Sequence, residues 1–185
     1  HPSGKFLREL TIGLNRADPD CEYQDILDAI AKVGSASLRE LFVGDYEYPD
    51  QIEISWTKIG SAKGLWKALP RLSRCVLQGG EIGLGNVDAP ALRHLELRTG
   101  GLPAAALRSL AKAKLPALET LIVWTGSEDY GGDSSFDDVA PLLEGKNLPS
   151  LRTLGIKNCA YTDEVCAAIA KAPILKQLTT LDLGM

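Results

Sequence analysis

Leu118-Glu-Thr-Leu121-Ile-Val123-Trp124 places a leucine, a second leucine three residues on, and an apolar residue two further. The same spacing returns at Leu7-Leu10-Ile12, Leu38-Leu41-Val43, Leu72-Cys75-Leu77, Leu92-Leu95-Leu97, Leu151-Leu154-Ile156 and Leu178-Leu181-Leu183. Side chains alternate between the faces of a strand, so the fourth and sixth residues of each unit share one face. The third, fifth and seventh share the other. One such strand cannot bury its apolar side alone, but consecutive copies stack those sides into a continuous core. Two units add a ninth residue suited to an inward turn, Asn15 after the first and Cys159 after the sixth.

Leu-x-x-Leu-x-Leu is the leucine-rich-repeat signature. The sequence therefore predicts an α/β leucine-rich-repeat solenoid, a right-handed β-α superhelix. It would have a parallel concave sheet of about seven strands and helices on the convex side. Successive first leucines lie 31, 34, 20, 26, 33 and 27 residues apart, which leaves room for a helix in most repeats. Tyr23, Ile26, Leu27, Ile30 and Val33 recur at helical spacing. Pro103 suits the first turn of a helix carrying Leu107, Leu110 and Ala111. Ser135 and Asp138 form a variant capping box before Val139, Leu142 and Leu143. Thr162 is expected to cap a helix with Val165 and Ile169, ended by Pro173. A short helix is expected around residues 62–69. The 20-residue interval after Leu72, rich in glycine, is expected to hold none.

Residues 1–185 read as one leucine-rich-repeat domain. A solenoid needs caps at both ends, yet the first unit starts almost at once and the last strand stops at Met185. The expectation is a fragment of a longer chain, with self-association possible through uncapped ends. A net charge of −4 and a pI near 5.2 argue against nucleic acid, which needs a concentrated basic face. No apolar stretch reaches the roughly 20 residues of a membrane span. Four scattered cysteines supply neither a disulfide framework nor a metal motif. Cys75 and Cys159 read as small core residues, Cys159–Cys166 is the one conceivable bridge, and free thiols in a reducing cytoplasm fit best.

Beyond the repeats the chain carries Glu53-Ile-Ser-Trp56, Gly100-Gly-Leu-Pro103, Asp129-Tyr-Gly-Gly-Asp133 and Val139-Ala-Pro-Leu-Leu143, in that order. This series resembles a group of uncharacterised bacterial leucine-rich-repeat proteins over nearly the whole length. The resemblance implies a cytoplasmic solenoid of ribonuclease-inhibitor-like repeats with no assigned activity and no catalytic residues to carry over. It also implies that the solenoid runs on past Met185.

Function must then come from the face opposite the core. The third positions give Glu9, Glu40, Arg74, His94, Thr120, Thr153 and Thr180, and the fifth give Thr11, Phe42, Val76, Glu96, Ile122, Gly155 and Asp182. The seventh give Gly13, Gly44, Gln78, Arg98, Trp124, Lys157 and Gly184. Phe42, Arg74, Val76, Glu96, Arg98, Ile122, Trp124 and Lys157 form the candidate partner-binding set. An aromatic anchor beside cations is the composition of an interface hot spot. The competing reading is a sheet surface neutralised internally, with Arg98 and Lys157 against Trp124 as cation–π neighbours, Glu96 paired with Arg98 or Arg74, and Glu40 with Arg74.

Other chemistry is poorly supplied. Glu128, Asp129, Asp133, Asp137 and Asp138 match no calcium-loop spacing, and acids near a helix start suit the helix dipole. The loop is read as a rim that touches a partner. His94, the one histidine besides His1, has Ser73 as a conceivable neighbour but no nucleophile elbow or oxyanion glycines. One internal histidine and scattered cysteines do not make a zinc site, and Gly80 to Gly85 is followed by Asn86 rather than a phosphate-binding lysine. Trp56 reads as local packing and Trp66 as core. The expected function is therefore a protein-interaction module gripping a protein partner on its concave sheet, without cofactor, metal, nucleic acid or membrane. The alternative is a structural spacer or oligomerisation segment, with an enzyme or metal-dependent switch a distant third.

Overall fold

A computed structural model describes residues 5–15 and 21–184. Along the chain run β1 (Glu9–Ile12), α1 (Gln24–Val33), β2 (Glu40–Val43), β3 (Lys58–Ser61), α2 (Leu65–Ala68), β4 (Arg74–Gln78) and β5 (Gly80–Gly83). They are followed by β6 (His94–Arg98), α3 (Ala104–Ala111), β7 (Thr120–Gly126), α4 (Phe136–Leu143), β8 (Thr153–Cys159), α5 (Thr162–Ile169) and β9 (Thr180–Asp182). The architecture is mixed α/β, with a seven-stranded parallel sheet in the order β1-β2-β4-β6-β7-β8-β9.

The strands pair in the register that the repeated spacing anticipates. Leu10, Leu41, Cys75, Leu95, Leu121, Leu154 and Leu181 stand opposite one another in turn. From Leu41 to Leu154 these residues are buried, and Val43, Leu77, Leu97, Val123 and Ile156 form a second buried row two residues on. Before each strand one carbonyl accepts two successive amides of the next unit. Arg39 and Glu40 donate to the Arg8 oxygen, Arg93 and His94 to that of Ser73, and Arg152 and Thr153 to that of Glu119. This rung fixes the register, and a slip by one residue would turn every leucine to water.

The helices cover the leucine face. Leu27 of α1, Leu65 and Trp66 of α2, Leu107 and Leu110 of α3, Val139 and Leu142 of α4 and Val165 of α5 join the strand leucines in one core. Trp66 is core as expected, and its Nε1–H donates to the Leu84 carbonyl at 2.8 Å. At the start of α4, Asp138 Oδ2 accepts from both the backbone N–H and the hydroxyl of Ser135, at 3.1 and 3.2 Å. Two start signals read differently in the fold. Pro103 stands just outside α3 in extended conformation. Thr162 lies inside α5, and its hydroxyl donates back to the Cys159 carbonyl at 2.6 Å instead of capping the helix.

Between Leu72 and Leu92 the chain forms no helix. It lays β5 parallel to β3 as a separate two-stranded sheet, a pairing that the short interval permits because a strand spans distance with fewer residues than a helix. All four cysteines are free; Cys21 and Cys75 are buried, Cys159 is half-buried and Cys166 is exposed. No helix is long and apolar enough to cross a membrane among the described residues.

The alternation along β7 makes a direct prediction. Leu121 is fully buried and Ile122 half-buried, so Leu121→Ala should cost about 2–5 kcal/mol by lost transfer energy and cavity. Ile122→Ala should cost under about 1 kcal/mol. Denaturant midpoints that fall equally would overturn the register.

Candidate functional site

The face opposite the leucines carries no helix among the described residues. Its aligned rows are those of the third and fifth positions, Glu40↔Arg74↔His94↔Thr120 and Phe42↔Val76↔Glu96↔Ile122. In the seventh row Gln78 pairs with Arg98 and Trp124 with Lys157. Neighbours along a row lie about 4.8 Å apart, so each expected residue stands on one continuous face. Their accessibility differs from the sequence expectation.

Val76, expected to be open, is only 1% exposed, and Glu96 is buried as well. Arg98 bridges the strands on either side of Val76. Its guanidinium lies over the Phe42 ring, 5.5 Å from the centroid, although Phe42 is on β2 and Arg98 on β6. To reach it the arginine crosses β4, the strand that carries Val76. Its Nη1 donates to Gln78 Oε1 at 3.3 Å and its Nε to Glu96 Oε1 at 2.7 Å. Gln78 in turn donates to the Tyr46 carbonyl at 2.9 Å. Val76 and Glu96 therefore support the face from below and are withdrawn from a partner's reach.

Glu96 is held as a carboxylate. Burial acts to raise its pKa, but hydrogen bonds from His94 and Arg98, with their charge, outweigh burial and bring it to about 2. Elsewhere Arg74 faces Glu40 at 4.0 Å and Lys157 donates to Asp182 at 2.8 Å. The cations expected to flank Trp124 are thus engaged with acids or with Phe42. No cation sits over the Trp124 ring among the described residues. Ile122 and Trp124 remain half-buried beside each other on β7, and the Trp124 Nε1–H is enclosed without an acceptor. Ser73 does not join His94, because its hydroxyl donates to the Arg39 carbonyl at 3.0 Å. Among the described residues no three His, Cys, Asp or Glu side chains are placed to hold a metal ion.

The carboxyl ends of the strands carry a rim of loops, and here lie residues that sequence reasoning passed over. The segment 44–57 folds into its own small core of Tyr46, Ile52 and Ile54, with Tyr46 Oη 2.8 Å from Thr57 Oγ1. Trp56, expected to pack locally, is instead 57% exposed, and Tyr130 is 53% exposed. Their turns, Ile54–Trp56 and Glu128–Tyr130, meet at Gly100, where a Cβ would collide with Ser55 Oγ and press on Tyr130. Gly126, at φ +66°, packs on the Gly100 carbonyl so closely that no side chain fits. The motif glycines thus close a backbone-to-backbone joint between neighbouring loops. Asp133 completes it by accepting the Ala104 N–H at 2.6 Å at the start of α3. The signal in the sequence was the order of Gly100-Gly101 and Gly131-Gly132, which only the fold brings together.

The architecture is that of an α/β protein with a parallel sheet bare on one side. No protein-family model matches the chain, and no curated protein matches it. The chain is similar to a Bacteroides fragilis protein whose crystal structure was solved as a structural-genomics target, with 29% identity and a TM-score of 0.85 over 96% of this chain. The chain spans about half of that protein, 51% of its length.

Two predictions follow from the geometry. In the folded chain Glu96 titrates near 2, against an ordinary 4.5, so its stabilisation is full above about 4.5 and is lost as pH falls through about 2. Urea unfolding across that window should show a shallower acid loss in Glu96→Gln than in the parent; parallel losses would contradict the assignment. Asp133→Ala should remove the cap on Ala104 and cost about 0.5–2 kcal/mol, read as a lower midpoint, with Asp133→Asn retaining part of it.

Proposed function

We propose that this chain is a leucine-rich-repeat solenoid that binds a protein partner on its concave, helix-free face. The repeated in-register pairing of the seven strands and the return of each connection over the leucine side support the solenoid reading. The four motifs shared with the bacterial leucine-rich-repeat group, read as a single domain of that kind, support the membership. Free thiols suit a reducing compartment such as the cytoplasm.

The observation that carries the function is the apolar strip Ile122–Trp124, half-exposed in the middle of the bare face. Aromatic anchors concentrate binding energy where a pocket of the partner encloses them. Phe42 with its arginine cover extends the strip, and Arg74, Arg98 and Lys157 border it. Because these cations already have acidic or aromatic partners, they shape and orient the contact more than they draw it in. Val76 and Glu96 act beneath the surface. A second reading, a spacer or self-associating segment, draws on an apolar groove of about 700 Å³ at the β1 end, lined by Leu7, Leu10, Ile30, Val33 and Leu38.

Affinity capture with matched variants separates the two. Trp124→Ala should weaken partner retention by about 2 kcal/mol or more, and this loss should persist in high salt because it is apolar. Lys112→Ala and Lys171→Ala, on the helix side, should change little. Retention that survives Trp124→Ala and is lost with Val33→Asp would favour the spacer reading.

A further inference from the structure

Two rim loops carry one sign of charge. Asp45, Glu47, Asp50 and Glu53 lie in segment 44–57, and Glu128, Asp129, Asp133, Asp137 and Asp138 in segment 126–138, with no lysine or arginine in either. Arg39, Arg71, Arg93 and Arg152 precede the strands at the opposite edge, a strand length or about 15 Å away. Across the sheet the acids find cations, as in Arg98–Glu96 and Lys157–Asp182, and within the rim Asp138 is already paired with Arg108 of α3. On the rim Glu128, Asp137 and Glu164 are exposed and make no ion pair among the described residues.

Those three carboxylates border a cavity of about 460 Å³ between the β7–α4 loop and the β8–α5 turn, walled also by Phe136 and Tyr161. The Tyr161 hydroxyl is 3.1 Å from Ser134 Oγ, which fixes the ring. The acids do not converge as a metal ion would require; they are spread around a space of small-ligand size. Continuous with it along the Glu128–Tyr130 turn, Tyr130 and Trp56 present exposed rings on the glycine-locked joint. Exposed rings beside carboxylates that make no ion pair among the described residues suit a guanidinium or ammonium group, which binds ring faces and carboxylates together.

We propose that this rim is a second binding surface, which takes an arginine- or lysine-bearing segment of a protein partner. One cationic side chain enters the cavity beside Glu128, Asp137 and Glu164, and another lies on Trp56 and Tyr130. The surface stands apart from the Ile122–Trp124 strip and does not depend on it.

The test is titration of the chain with an oligoarginine peptide, at low and high salt, against an oligoglutamate control. Glu128→Gln with Asp137→Asn should weaken the peptide about tenfold, by loss of two charge-assisted contacts. Tyr130→Leu and Trp56→Leu should each weaken it several-fold, and salt should weaken the parent more than the acid double variant. Asp25→Asn with Asp28→Asn removes the same charge from α1 and should leave affinity unchanged, as should Trp124→Ala. Circular dichroism and the melting temperature identify any variant that has lost its fold, and Tyr130→Phe, which keeps the ring, should retain affinity. An equal loss in the α1 double variant, or none in the two leucine variants, would overturn the proposal by reducing it to net charge. Salt-sensitive dimerisation of the chain, abolished by the rim double variant, would overturn it in favour of a second copy as the occupant.

Discussion

Everything in this fold depends on the shared register of parallel strands. Because one carbonyl receives two amides of the next unit at each step, the units cannot slide independently. The fourth and sixth positions fall into two continuous rows, and the helices close over them. Leu121 and its counterparts are buried because their neighbours are in step. The same constraint creates the surface, since whatever stands at positions three, five and seven is forced out on the side that no helix covers. The chain did not select Ile122 and Trp124 for solvent by local preference. Their register selects them, and two large apolar groups at that place need a reason beyond the core.

The open face was legible down to which residues share a row, because alternation has a period of two and the repeat supplies its phase. What lay outside that logic was depth. A row assignment treats Val76 and Trp124 alike, yet Val76 is buried, and Arg98 reaches across its strand to the Phe42 ring. A long side chain with several partners chooses among them by distances that no spacing encodes. The same holds for Glu96, whose proximity to Arg98 was visible but whose burial was not.

The rim was the least legible part. Trp56 sits in an interval with no repeat phase, so nothing in its spacing says inside or outside, and packing was the ordinary expectation. Its exposure follows from a loop with its own small core of Tyr46, Ile52 and Ile54, which leaves the tryptophan no place below. The glycine motifs offered a better signal. Gly126 leaves room for the Gly100 backbone and Gly101 for that of Gly132, pairs remote in sequence whose meaning emerged only when the strands aligned them. The missing helix after Leu72 was readable from length alone, whereas the β3–β5 pairing that replaced it required knowing where the neighbouring interval ran.

Electrostatics divide the surface in two. On the sheet, acids and bases neutralise one another in place, and the apolar groups Ile122 and Trp124 stand among them. At the rim, single-sign charge with exposed rings leaves attraction unsatisfied. Hydroxyl-radical footprinting of the chain, alone and with a captured partner, tests the central claim most directly. Binding on the bare face should make Trp124, Ile122 and Phe42 lose reactivity in the complex while Leu175, beyond the helices, stays as reactive as in the free chain. Protection confined to Leu175 and its surroundings, with Trp124 unchanged, would contradict it.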